Sequence, residues 1–277
     1  MQMKSFICLS AIAMATSFCG CSGNNSSANT ASAPAADTTT LPPVETKAPN
    51  ADYKPAFEGQ TRVKAVKTTT AYKVEKIAEN LGGPWAVAPM PDGRLLITIK
   101  SGYMEIRNAD GTLAKKITGF PKVEDAGQGG LLDVALDPDF AQNKTIYWSF
   151  SEKQGKGNLT SVAKGQLSAD ETTIQNPTVI FRATPALDSK LHFGSRLIFD
   201  KDGNLFVSAG ERSILEGRKQ AQWLNAGLGK VFKITKEGKP APGNPFIGQK
   251  DAMPEIYAYG MRNPQSLDIN PVTGQLW

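Results

Sequence analysis

The 277 residues contain a single histidine, His192, within "LHFGSRLIFDKDGNLFVSAGER" (Leu191 to Arg212). Its imidazole is the one side chain whose ordinary pKa lies near neutrality, which suits it to take a proton from a hydroxyl. Arg262 and Asn263, in "MRNPQ", add a permanent cation able to counter developing negative charge and an amide beside it. Gln128, in "AGQGGLLDVAL", supplies a second amide. All three cysteines (Cys8, Cys19, Cys21) lie at the extreme N-terminus, so the remainder offers no thiol ligand or nucleophile. Any metal would be held by oxygen or by the one imidazole. No G-x-S-x-G surrounds His192, and no P-loop or helix-entering G-x-G-x-x-G occurs, which argues against nicotinamide and ATP chemistry. What remains is a proton-abstracting histidine beside a cation, serving a cofactor bound without a covalent link.

The elements that must position these residues are strands. No stretch sustains a 3.6-residue apolar period with caps, whereas short apolar runs bracketed by turn residues recur. "WAVAPMPDGRLLITIK" (Trp85 to Lys100) reads as strand, turn, strand, and "SRLIFDKDGNLFVSAG" (Ser195 to Gly210) repeats it. "LLDVALDPDFAQNKTIYWSF" (Leu131 to Phe150) has a longer turn, and "SLDINPVTGQLW" (Ser266 to Trp277) begins the plan again. "MEIRNADGTLAKKI" and "KVFKITKEGK" are expected as further hairpins. The turn landmarks Gly93, Asn143, Gly203 and Gly274 lie 50, 60 and 71 residues apart. A period of that size in an all-β chain favours a β-propeller over a β-sandwich. Three complete units and the start of a fourth are visible. Because a propeller must close, the expectation is the first part of a longer one.

In such a hairpin, the residues just before the first strand and just after the second share one edge. His192 precedes Gly203 by 11 residues, and Asn263 precedes Gly274 by the same 11. Gln128 occupies the matching approach to the second unit. Gln128, His192, Arg262 and Asn263 are therefore expected on one rim, around the central channel. Taken singly, each has a bland alternative: a surface histidine, a glycine-flanked tight approach, an Arg-Asn-Pro turn. "GERSILEGR" (Gly210 to Arg218) reads in the same way as a solvated loop. Convergence of polar groups on one concavity is what favours a site.

The front end is of another kind. Lys4 and the largely apolar "FICLSAIAMATSF" (Phe6 to Phe18) form an export signal, too short to span a membrane. The small Gly20 before Cys21 resembles a bacterial lipobox, with "FCG" where "LAG" is more usual. This predicts signal residues 1–20, lipidation of Cys21, and anchoring at the outer membrane facing the periplasm. A plain secretory signal giving a soluble periplasmic protein is the alternative. Residues 21–50 are small, polar and Pro-rich and read as a flexible tether, with the propeller domain spanning 51–277. A net charge of +5, without blocks of like charge, gives no nucleic-acid footprint.

"GQGGLLDVALDPDF", "HFGSRLIFDKDGNLFVSAGE", "LGKVFKI" and "PEIYAYGMRNPQSL", in this order, resemble the soluble pyrroloquinoline quinone (PQQ)-dependent sugar dehydrogenases, the glucose/sorbosone dehydrogenase family. The resemblance runs from about Val74 to Trp277. It implies a six-bladed β-propeller, of which about the first four blade units are present here, the last cut. It implies PQQ and Ca²⁺ as cofactors, an aldose sugar oxidised at its anomeric hydroxyl to the lactone, and a quinone, dye or redox-protein electron acceptor. By the same resemblance His192 is the catalytic base, Arg262 and Asn263 bind the cofactor, and Gln128 stands near substrate and cofactor. Such a division leaves redox chemistry to the cofactor, with orientation and charge supplied by protein. Leu191 stands where well-studied members carry an Asp, which suggests a broader aldose specificity. The family's calcium-binding motif follows the "RNPQ" segment, so no metal ligand is assigned within this chain. Two other readings remain: a lipid-anchored, non-redox propeller that binds a sugar or a partner, and a Ca²⁺-dependent lactonase-like hydrolase.

Overall fold

The computed structural model describes residues 41–48, 52, 54 and 64–277. The export signal, Cys21 and most of the tether lie outside the described residues. Tertiary contacts divide the chain into Met1–Val74 and Glu75–Trp277. All twelve strands found among the described residues belong to the second unit.

The strands form three four-stranded antiparallel sheets, each a meander in chain order. The first holds β1 (Pro84–Pro89), β2 (Leu95–Ile99), β3 (Tyr103–Arg107) and β4 (Leu113–Ile117). The second holds β5 (Leu131–Leu136), β6 (Thr145–Gln154), β7 (Gly157–Leu167) and β8 (Ile174–Arg182). The third holds β9 (Gly194–Phe199), β10 (Leu205–Ala209), β11 (Lys230–Ile234) and β12 (Ile256–Tyr259). The first strands are neighbours, β1 against β5 and β5 against β9. These are three successive blades of a β-propeller, as the repeat predicts. A single bridge, Ile269 to Leu276, follows them where the fourth unit is expected to begin.

The expected turns form as their residues dictate. Gly93 adopts φ +84 and donates its N–H to the Met90 carbonyl at 3.0 Å, closing the Pro-Asp-Gly turn. Asp200 Oδ1 accepts from the N–H groups of Asp202 (2.9 Å) and Asn204 (2.8 Å), setting the β9–β10 turn. Two expectations need correction. "KVFKITKEGK" is no strand pair, since β11 pairs with β12 some twenty residues on and Pro240 makes only an isolated bridge to Ile234. The β5–β6 connection and the segment after β10 carry short helices, α1 (Phe140–Asn143) and α2 (Leu215–Gln220).

Period-2 alternation builds the core, because successive side chains of a strand face opposite sides. On β6, Ile146, Trp148 and Phe150 join Leu96, Met104 and Ile106 of the first blade. Tyr147, from the opposite face of β6, joins Phe181, Val207 and Phe232 between the second and third blades. Each large side chain so buried contributes about 1.5–3 kcal/mol of transfer free energy.

A hydrogen-bond relay repeats in every blade at the bulged start of its first strand. Thr98 Oγ1 accepts from Ala86 N–H (3.0 Å) and donates to the Leu132 carbonyl (2.6 Å). Ser149 Oγ accepts from Asp133 N–H (3.0 Å) and donates to the Ser195 carbonyl (2.6 Å). Ser208 Oγ accepts from Arg196 N–H (2.9 Å) and donates to the Pro264 carbonyl (2.7 Å). Thus one hydroxyl on each second strand satisfies a bulge N–H and ties its blade to the following segment. The approach segments to the inner strands, which carry the candidate residues, are thereby fixed to the blades.

Candidate active site

The approach to β9 delivers His192 in an unusual conformation. Its φ is +52, a left-handed value sparsely adopted by residues with a Cβ. The neighbouring segments hold it there. Its N–H donates to Gln128 Oε1 at 2.8 Å, and Gln128 N–H donates to the Lys190 carbonyl at 2.8 Å. Two residues later Gly194 N–H donates to Asn263 Oδ1 at 2.9 Å. The Arg262 carbonyl accepts from Glu211 N–H at 2.9 Å. Gln128, His192, Arg262 and Asn263, spread over 136 positions of sequence, therefore meet in one hydrogen-bonded cluster at one edge of the blades.

Glu211 completes the cluster, and residue types alone did not single it out. It lies two residues past the end of β10, at the edge from which His192 enters β9. His192 Nδ1 donates to Glu211 Oε1 at 2.6 Å, and Ser213 N–H donates to Oε2 at 3.0 Å. A carboxylate can only accept, so the bond assigns a proton to Nδ1, and in the neutral ring the lone pair is then on Nε2. The Glu211 side chain is 2% exposed and that of His192 14%. Of the "GERSILEGR" segment, for which a solvated loop is the bland alternative, Glu211 and Arg212 are buried, and α2 begins at Leu215. The same edge rule that singles out His192 also singles out Glu211, as the residue just past the second strand.

Two guanidiniums flank that carboxylate at ion-pair range. Arg262 Nε lies 4.0 Å from Oε1 and Arg218 Nε 3.9 Å from Oε2. The Arg262 side chain is 76% exposed, free to meet a ligand. Beside them opens a groove of about 410 Å³ lined by Glu211, Arg218, Gln222, Met261 and Arg262 among others. Backbone closeness matters at Gly210. A Cβ there would lie 2.2 Å from the His192 carbonyl oxygen and 2.9 Å from Asn263 Oδ1. Leu191, ahead of the imidazole, is 42% exposed and leaves an apolar surface beside it.

Chemically, the cluster offers a base with one nitrogen anchored and the other free, an exposed cation, and amides that lock the surrounding backbone. It suits proton removal next to a bound anionic group.

The greater part of the chain resembles known proteins. Residues 81–277 match the family model described as glucose/sorbosone dehydrogenase. The chain is 41% identical over 206 residues to the aldose sugar dehydrogenase YliI of Escherichia coli, covering 74% of this chain and 55% of that protein. The apo-form crystal structure of the soluble aldose sugar dehydrogenase from Escherichia coli superposes with a TM-score of 0.69 at 40% identity, over 73% of this chain and 58% of that one. The PQQ-bound aldose sugar dehydrogenase from Streptomyces coelicolor gives 0.62 at 28%, over 73% and 57%. The chain spans about half the length of the curated relatives it matches.

Proposed function

The chain belongs to the glucose/sorbosone dehydrogenase family, and from that membership we propose that it serves a PQQ-dependent oxidoreductase that converts the anomeric hydroxyl of aldose sugars to lactones. The observation that carries the reading is the His192–Glu211 pair, an imidazole with Nδ1 anchored on a buried carboxylate and Nε2 free.

In this reading Nε2 of His192 takes the proton of the sugar C1 hydroxyl. The buried carboxylate of Glu211 stabilises the imidazolium as it forms and keeps the ring oriented. Gln128 and Asn263 hold the backbone on either side of the ring. PQQ, when bound, is the two-electron oxidant of the sugar carbon. The donor set fits an anionic quinone: Arg262 is an exposed cation, and Arg218 puts a second one on the same groove. Calcium enters as an expectation of the family. Among the described residues no cluster of three or more His, Cys, Asp or Glu gathers, and no ligand is assigned. The electron acceptor, a quinone, dye or redox protein, belongs to the same proposal. So does an exported protein held by a lipid on Cys21, for which the N-terminal sequence is the support.

The test is reconstitution of the protein at its natural length with PQQ and Ca²⁺. Addition of an aldose is expected to change the absorbance of the bound quinone, and the His192→Gln variant to lose that change. No spectral change with any sugar would reject the dehydrogenase and favour a binding or hydrolytic propeller.

A further inference from the structure

Glu211 is followed by a second buried charge that the chemistry above does not use. Arg212 is 1% exposed. Its Nη1 donates to the Leu191 carbonyl at 3.1 Å, and its Nη2 to the Ser189 carbonyl at 2.6 Å and to Asn158 Oδ1. The guanidinium also lies over the Phe193 ring, 3.7 Å from its centroid. The backbone of Arg212 reaches the same segment: its N–H donates to the His192 carbonyl at 3.3 Å, and its carbonyl accepts from Ser189 Oγ.

Besides Ser189 and Asn158, these contacts fall on the three residues centred on His192. The residue before His192, the residue after it and its own carbonyl are all held by Arg212. Burial is unfavourable to this cation and lowers it to about 10, and its Nε has no partner. A core filler would serve stability as well or better, since buried charges are often replaceable by apolar groups without loss. What an apolar residue could not do is fork onto two carbonyls and cap a ring at once. The segment needs such restraint, because His192 is held at φ +52 and Ser195 at +89.

We propose that Arg212 is a positioning residue that clamps the backbone on both sides of His192, so that Nδ1 meets Glu211 and Nε2 is left without a protein partner among the described residues. Its catalytic consequence rests on His192 being the base, whereas the positioning itself can be read without cofactor or substrate.

The experiment is ¹⁵N and ¹H NMR of the His192 imidazole in the cofactor-free protein of natural length, assigned by the signals lost in His192→Gln. The wild type is expected to give one imidazole environment, with a low-field Nδ1 proton bonded to Glu211. Arg212→Lys keeps a positive charge but has no fork. It is expected to lose the low-field proton or split the ring into several environments. On reconstitution its kcat should fall about 10²-fold, the scale of an ångström of misplacement, with KM little changed. Should Arg212→Lys fail to fold, Asn158→Ala carries the test, because it removes one acceptor of the guanidinium and leaves Arg212 in place. A folded variant with wild-type imidazole signals overturns the proposal, and so does loss of fold in both. Altered imidazole signals with undiminished kcat would uphold the clamp and refute His192 as the base.

Discussion

Ser208 Oγ donates to the Pro264 carbonyl at 2.7 Å and accepts from Arg196 N–H at 2.9 Å, joining the third blade to the segment that carries Arg262 and Asn263. The hydroxyl is wholly buried. Ser208→Ala would strip the partner from an N–H and a carbonyl at once, and unsatisfied buried groups cost about 1–3 kcal/mol. We expect a loss of that size in urea denaturation, largely restored in Ser208→Thr, where the hydroxyl remains. A neutral Ser208→Ala would show that the relay is incidental.

The 2.6 Å bond from His192 to Glu211 predicts a loss of catalysis in Glu211→Gln. The amide keeps the size of the side chain but removes the charge that favours a proton on the imidazole. Loss of an orienting carboxylate of this kind belongs with general-base effects of about 10²–10⁴-fold. Steady-state kinetics of the reconstituted enzyme should show a fall in kcat of at least about 10²-fold, with the thermal midpoint little moved. An unchanged kcat would remove Glu211 from the machinery.

Gly210 sits where two site segments converge on the backbone. A methyl group at this position would press on the His192 carbonyl at 2.2 Å and on Asn263 Oδ1 at 2.9 Å. Its φ is outside the left-handed range, so crowding alone decides the outcome. Overpacking of a close contact costs about 1–3 kcal/mol. Gly210→Ala is expected to lose stability in that range and to lower kcat further than the stability loss explains. A crystal structure of the variant with His192 and Asn263 unmoved would refute the mechanism.

The propeller was legible because its turns carry explicit chemistry. Pro91-Asp92-Gly93 and Asp200 to Asn204 fix where strands reverse, and the spacing of such turns marks the blades. The rim residues were legible for the same reason, since a fixed offset from a turn is a place on the blade. The outermost strands β8 and β12 were harder to see. β12 is only four residues, and Asn176 and Pro177 interrupt the apolar pattern of β8. The relay hydroxyls of Thr98, Ser149 and Ser208 look like ordinary strand residues until their partners in the next blade are known. Glu211 and Arg212 were the least legible. A charged residue reads as solvated when only its neighbours in sequence are considered. Their counterparts are His192, 19 residues earlier, and Asn158, 54 earlier.

The pair of Asp133 and Arg196 gives a pH signature. Asp133 Oδ1 accepts from Arg196 Nη1 at 2.8 Å, and Oδ2 from Leu197 N–H at 2.7 Å, across the junction of the second and third blades. Burial pushes the Asp133 carboxyl up to about 6, outweighing the attraction of Arg196. The folded state therefore holds this proton more tightly than the unfolded chain, where the ordinary value is 3.8. The contribution is fully present below that value and is lost as pH rises through about 6. Asp92 and Glu171, hydrogen-bonded to the Arg94 guanidinium, are shifted down, so they contribute stability that grows as pH rises through the carboxylate range. The opposing slopes make a difference measurement necessary. Urea denaturation of wild type and Asp133→Asn at pH 4 and pH 7 should show the wild type losing up to about 3 kcal/mol relative to the variant over that interval. A difference independent of pH, or one of opposite sign, would mean that Arg196 keeps Asp133 ionised throughout and that burial does not govern it.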